Sequence, residues 1–182
     1  VAKAKGIRPD EVTVVVLDRP RHSQLVKDIR EAGAKVRFIM DGDVAGAIAA
    51  AQNTNSIDLA MGIGGTPEGV VTACALKCIG GEIQGMLAPQ THEEKDAVLA
   101  AGHDLDRVLG INDLVTSDNC YFAATGVTNG DMLRGVSYRK NGATTRSLVM
   151  RSKSGTVRFV ESQHQLAKLQ EYSVVDYSDP NN

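Results

Sequence analysis

The chain has 182 residues, 42 % of them hydrophobic, and a formal net charge of -2. This length and composition suit one packed domain rather than a disordered chain. The near-neutral balance gives no positive field to hold nucleic acid or an anionic membrane surface, and no apolar run is long enough to span a bilayer.

The opening VAKAKGIRPDE reads as the end of a helix, with Lys3 and Lys5 in the last turn and Gly6 as the stop. A chain that starts with Val inside a helix is expected to be part of a longer protein. VTVVVL (12–17) is a continuous β-branched run, predicted as a strand buried on both faces. Helical spacing follows over 22–32, with Leu25, Ile29 and Ala32 on one side. KVRFIM (35–40) is a second strand, ending in the turn Asp41-Gly42-Asp43. VAGAIAAAQ (44–52) predicts a helix of small residues that can approach a sheet closely. IDLAMGI (57–63) predicts a third strand, and a helix runs from Pro67 to about Cys78.

EIQGMLA (82–88) predicts a fourth strand and 91–101 a polar amphipathic helix. A short strand or turn near 107–109, a brief helix at 112–116 and an apolar strand at 120–125 come next. This alternation predicts an α/β fold with a largely parallel sheet and right-handed crossovers. Beyond residue 135, Asn141-Gly142 and Ser154-Gly155 separate alternating runs and predict a β-meander. A final helix is predicted at 162–170 and a loose polar tail at 176–182, so that 1–175 form one α/β domain.

The three cysteines, Cys74, Cys78 and Cys120, lack the spacing of a disulfide framework and suit a reducing, cytoplasmic compartment. Cys74 and Cys78, four apart on a predicted helix, are expected as buried small hydrophobes sharing a face. His22, His92, His103 and His164 show no ligand spacing and are expected at the surface or at caps.

Ligands of open α/β sheets bind beyond the carboxyl ends of the strands, and three strand ends here are polar. The first is Asp18-Arg19-Pro20-Arg21. In an extended segment Arg19 and Arg21 point the same way and suit a phosphate, while the plainer reading is two solvated arginines before a helix. The second is Asp41-Gly42-Asp43. Its carboxylates suit sugar hydroxyls or a divalent cation, or Asp43 simply caps the next helix. The third is GIGGTPEG (62–69), where Gly64 and Gly65 permit close backbone approach and Pro67 starts a helix. Glu68 either stabilises the helix start or meets a cation. GIGGTPEG lacks both the dinucleotide fingerprint and the lysine of a phosphate loop, which counts against a nucleotide-dependent enzyme.

RPR, DGDVA, IGGTPEGVVTACALKCIGG and ATGVTNG, in this order, resemble the class II fructose-1,6-bisphosphatases over nearly the whole chain. The match is to the carboxy-terminal half of that family. The resemblance implies the lithium-sensitive, metal-dependent sugar phosphatase fold, a layered α/β/α/β/α sandwich. This chain would supply its mostly parallel carboxy-terminal sheet, flanking helices and the terminal meander. It implies hydrolysis of the 1-phosphate of fructose 1,6-bisphosphate with Mg2+ or Mn2+, in gluconeogenesis. Glu68 matches a metal ligand. Gly65 matches a backbone contact to substrate, and Asp41, Gly42 and Asp43 a segment that contacts the sugar. Arg19, Pro20 and Arg21 match a basic-Pro-Arg segment that binds substrate at its 6-phosphate. Many relatives have Lys at the first of these positions, and Arg19 keeps the charge with a different reach. Thr125 and Gly126 match a motif without an assigned role.

The other metal-binding acids and the threonine that activates water are expected upstream of Val1. The isolated chain is therefore expected to be inactive, with the amino-terminal half of the same enzyme as its partner. A homo-oligomer is expected, with no nucleic-acid or membrane partner. The alternative is a sugar-phosphate sensor that binds without hydrolysis, which needs the arginines and the Asp-Gly-Asp acids but no complete metal cluster.

Overall fold

In the computed structural model, which describes residues 1–52, 56–171 and 173, the valine run forms β1 (Thr13–Leu17). Val14, Val15 and Val16 are all buried, as a strand covered on both faces requires. β1 pairs in parallel with β2 (Lys35–Ile39) on one side and β3 (Leu59–Ala60) on the other.

Side chains alternate across the sheet, so β1 feeds two cores. On one face Val12, Val14 and Val16 pack with Val26 and Ile29 of α2 (Ser23–Glu31), and Ala2 and Ile7 from the chain's start join them. α1 (Ala2–Lys5) ends at Gly6 in the left-handed conformation. On the other face Val15 meets α3 (Asp43–Ala51) at Gly46. A side chain at Gly46 would stand 2.9 Å from the end of Ile39, so the glycine sets how closely α3 approaches the sheet.

α3 packs in turn against α4 (Thr66–Ile79), and both meet a second sheet. Ile48 of α3 and Ala75 and Cys78 of α4 are buried with Phe122, Leu148 and Met150. The last three belong to β6 (Tyr121–Thr125) and β8 (Gly142–Arg151). β8 is the spine of an antiparallel sheet completed by β7 (Ser137–Arg139) and β9 (Thr156–Gln165). The layers run α2, parallel sheet, α3 with α4, antiparallel sheet. At about 1.5–3 kcal/mol for each fully buried aliphatic side chain, these interlayer cores dominate cohesion.

The α/β class and the alternating order of elements agree with the sequence, but three expectations need correction. EIQGMLA is no fourth parallel strand. Only Gln84–Gly85 (β4) forms a ladder, antiparallel to Leu109–Gly110 (β5), in a sheet of its own. Glu82 and Gln84 are exposed between half-buried neighbours, and such alternation suits one-sided burial. The predicted strand at 57–63 pairs only at Leu59–Ala60, because Met61–Gly65 leave the sheet to build a loop. The predicted helix at 162–170 shrinks to α7 (Leu166–Gln170). Ser162–Gln165 extend β9 against Gly142–Thr145, and His164 Nε2 lies 2.9 Å from Thr145 Oγ1 across the ladder. The helix predicted at 91–101 is α5 (His92–Ala100), capped by the Thr91 side chain, and the brief one is α6 (Ile111–Leu114). The tail at 176–182 lies outside the described residues.

Asp58 fastens the first helix to the sheet. It pairs with Lys5 and accepts from the Thr13 N–H at 2.8 Å. The Lys5 hydrogen bond above all, then the Thr13 N–H, hold the Asp58 carboxyl below its usual range. A depressed folded-state pKa contributes stability above the unfolded pKa, which is lost as pH falls through the folded value. The wild-type urea midpoint is therefore expected to fall more steeply than that of Asp58→Asn as the pH drops below about 4. Parallel curves would show that the pair contributes nothing.

Candidate functional site

Because β1, β2 and β3 are parallel, the segments that follow them emerge at one edge. The Asp18 N–H donates to the Ile39 carbonyl at 2.9 Å and holds the first two strand ends together. Pro20 then bends the chain into a tight 3-10 turn, Pro20–His22, which brings His22 back under the edge.

His22 is 1 % exposed. Its Nε2 accepts from the Ile63 N–H at 2.8 Å, and its Nδ1 donates to the Leu17 carbonyl at 2.8 Å. The Ile63 N–H can only donate, so the ring is neutral with its proton on Nδ1. The Ile63 carbonyl, 3.2 Å from Nε2, receives its hydrogen bond from Arg21 Nε at 2.8 Å. One residue past the third strand, Ile63, is thus gripped at both its N–H and its C=O by the turn after the first strand. Gly62 makes room for the ring, since a side chain there would stand 3.2 Å from it.

Two carboxylates meet the glycine pair that follows. Gly64 lies beside Asp43, whose Oδ2 would be 3.3 Å from a side chain at that position. Gly65 is the N-cap of α4, and any side chain there would collide with the Glu68 carboxylate. Both acids thus lie close against the backbone of the glycine pair. Asp43, Gly64, Gly65 and Glu68 line a cleft of about 720 Å³, together with the apolar Met86, Leu87 and Val98 and the polar Gln90 and Glu94.

The other predicted site residues stand at the same sheet edge but do not line the cleft. Arg19 and Arg21 are not alternate positions of one extended segment. Arg19 is extended, whereas Arg21 lies inside the 3-10 turn that starts at Pro20. Arg19 Nη1 folds back onto the Asp18 carbonyl at 2.8 Å, and Arg21 spends Nε on Ile63. Asp41 shapes the turn by accepting from the Gly42 N–H at 2.8 Å, and Gly42 has a φ of 81° that favours glycine. Asp43 opens α3, and its Oδ1 accepts from the Val44 N–H at 2.9 Å. Pro67 takes the second helical position rather than the first, which leaves Glu68 in the first turn.

His22 overturns the expectation that each histidine sits at the surface or at a cap. It occupies the position before α2, yet its side chain makes no cap bond and turns inward. The signal was Pro20, which reverses the chain just past a buried strand. ATGVTNG is the end of β6 followed by a close-packed loop. A side chain at Gly126 would overlap the Arg134 carbonyl, one at Gly135 would overlap the Thr128 backbone, and Thr125 Oγ1 lies 2.8 Å from Ser147 Oγ.

Among the described residues, no three His, Cys, Asp or Glu side chains come together to hold a metal ion. Asp43 and Glu68 offer hard oxygen donors of the kind Mg2+ and Mn2+ take. The donors fit those ions in kind but are too few for a full coordination shell.

A parallel sheet whose carboxyl-edge loops frame a cleft with two acids over a glycine pair defines an α/β protein with a cleft where open α/β sheets take their ligands. The family described as bacterial fructose-1,6-bisphosphatase, glpX-encoded, matches residues 1–164, and the chain belongs to that family. It is 40 % identical over 182 residues, 93 % of this chain and 55 % of the relative, to a fructose-1,6-bisphosphatase class 2 of Haemophilus influenzae. It is 43 % identical over 171 residues, 85 % of this chain and 49 % of the relative, to a D-fructose 1,6-bisphosphatase class 2/sedoheptulose 1,7-bisphosphatase of Synechococcus elongatus. The chain spans about half the length of these curated relatives.

His22→Phe keeps the ring's bulk but strands the Ile63 N–H and the Leu17 carbonyl. It is expected to cost about 1–3 kcal/mol in urea unfolding. His22→Asn, which retains a donor and an acceptor, is expected to lose less. Equal stability of His22→Phe and wild type would remove the clamp.

Proposed function

We propose that this chain is the sugar-phosphate-binding part of a class 2 fructose-1,6-bisphosphatase that hydrolyses the 1-phosphate of fructose 1,6-bisphosphate, as in gluconeogenesis. The observation that carries the reading is the convergence of Asp43 and Glu68 on the Gly64-Gly65 backbone, beside a turn that presents Arg21. Family membership gives that geometry its substrate class.

Each residue has a physical task. The glycine pair lets the ligand approach the backbone. Asp41 and Asp43 accept hydrogen bonds from sugar hydroxyls. Arg19 and Arg21 hold the 6-phosphate by charge-assisted hydrogen bonds, and Pro20 fixes the turn between them. Glu68 would help to hold a divalent cation. When bound, Mg2+ or Mn2+ would supply neutralisation of the phosphoryl oxygens and a more acidic water. The acids missing from the cation's shell and the threonine that activates water are assigned to the half of the enzyme that this chain does not match.

In a full-length enzyme carrying this sequence, Glu68→Gln is expected to lower kcat by about 10²-fold or more and to weaken the metal dependence. Arg21→Ala is expected to act mainly on KM, raising it by roughly 10- to 100-fold. Unchanged turnover and metal dependence in Glu68→Gln would refute the ligand assignment. The 182-residue chain alone is expected to bind the bisphosphate in calorimetry without releasing phosphate. Mn2+-dependent release by the isolated chain would refute this division of labour. Binding without hydrolysis by the full-length enzyme would favour the sensor reading.

A further inference from the structure

Helix α4 and strand β6 meet at three thiols. Cys74 and Cys78 lie four residues apart on α4, and Cys120 immediately precedes β6. The Cys74 thiol donates to the Tyr121 carbonyl at 3.4 Å and the Cys78 thiol to the Cys120 carbonyl at 3.8 Å. The Cys120 thiol donates to the Cys74 carbonyl at 3.8 Å, so the sulfurs of Cys74 and Cys120 each lie against the other segment's backbone. All three are free. Cys78 is buried, whereas Cys74 and Cys120 are half-buried and within reach of a small oxidant.

Their surroundings divide the chemistry between them. Burial, with the Cys120 thiol beside them, pushes Cys74 up to about 11 and Cys78 up to about 12, so both stay protonated. Burial also opposes ionisation of Cys120. It is outweighed there by hydrogen bonds from Ser152, Cys74 and Cys78 and by the Lys77 ammonium, which together hold the thiol below its usual range. Lys77 is fixed in place by Asn112 Oδ1 and the Val115 carbonyl, both at 2.9 Å. The cluster therefore pairs one thiolate-prone sulfur with a neighbouring thiol able to resolve it. The expectation of buried small hydrophobes describes Cys78 alone.

We propose that Cys120 and Cys74 form a reversible disulfide, bridging β6 to α4, when the protein meets a peroxide. The Cys120 thiolate attacks one oxygen of hydrogen peroxide, the O–O bond breaks, and hydroxide leaves Cys120 as the sulfenic acid. The Cys74 sulfur then attacks the Cys120 sulfur and loses its proton, and water departs. In sum, two thiols and one peroxide give one disulfide and two waters. Two electrons pass from sulfur to oxygen. The bridge fixes the helix whose first turn carries Glu68, and it does not depend on the function proposed above.

The test treats the 182-residue chain with hydrogen peroxide, then alkylates and maps it by mass spectrometry. Trypsin cuts after Lys77 and so separates Cys74 from Cys78. Alkylatable thiols are expected to fall from three to one, with peptide 38–77 joined to peptide 108–134 and dithiothreitol restoring all three. Cys120→Ser and, independently, Cys74→Ala are expected to form no such bridge. Three thiols surviving peroxide would overturn the proposal. So would a bridge from Cys120 to Cys78, a dimer on a non-reducing gel, or a Cys120 oxidised beyond rescue by dithiothreitol.

Discussion

A strand stretch buried on both faces carries no polar side chain, and the rest of this structure follows from that constraint on residues 14–16 of β1. Val14, Val15 and Val16 face helices on both sides, so the first polar residues come together just past Leu17. Parallel pairing places the ends of β2 and β3 at the same edge. Polar chemistry therefore gathers at one rim of an apolar slab, and there the His22–Ile63 clamp holds the rim in shape.

That clamp links packing to site. His22 is a core residue by burial and a site residue by consequence, because the peptide it holds leads directly into Gly64 and Gly65. The glycine pair has a double role. It permits close backbone approach, and it leaves space for the Asp43 and Glu68 carboxylates. Two acids beside the proposed phosphate site would repel an anion unless a cation stood between them, which gives the proposed metal dependence a physical basis.

Much of this was legible in the sequence, for identifiable reasons. Continuous valines announced β1, and the glycine past Lys5 marked a helix end that the structure keeps at Gly6 in the left-handed conformation. The Gly-Gly-Thr-Pro-Glu-Gly string located the start of α4. The misreadings came where local pattern was neutral. EIQGMLA has strand composition, but composition does not choose a partner, and its alternating polarity left it outside the parallel sheet. Ser162–Gln165 carry no helix-breaking residue, and pairing with β8 decided their state. Arg19 and Arg21 looked alternate along an extended chain, yet Pro20 started a tight turn that separated them.

The sequence by itself determined the class of fold, the order of most elements and the identity of the polar strand ends, because periodicity and turn chemistry are written locally. Only the tertiary structure decided which of those groups meet. The inward turn of His22, the pairing of Asp43 with Gly64 and of Glu68 with Gly65, and the gathering of Cys74, Cys78 and Cys120 all join residues from different elements. Such contacts depend on how helices and sheets stack. Stacking is set by the whole set of buried side chains rather than by any one stretch of the chain.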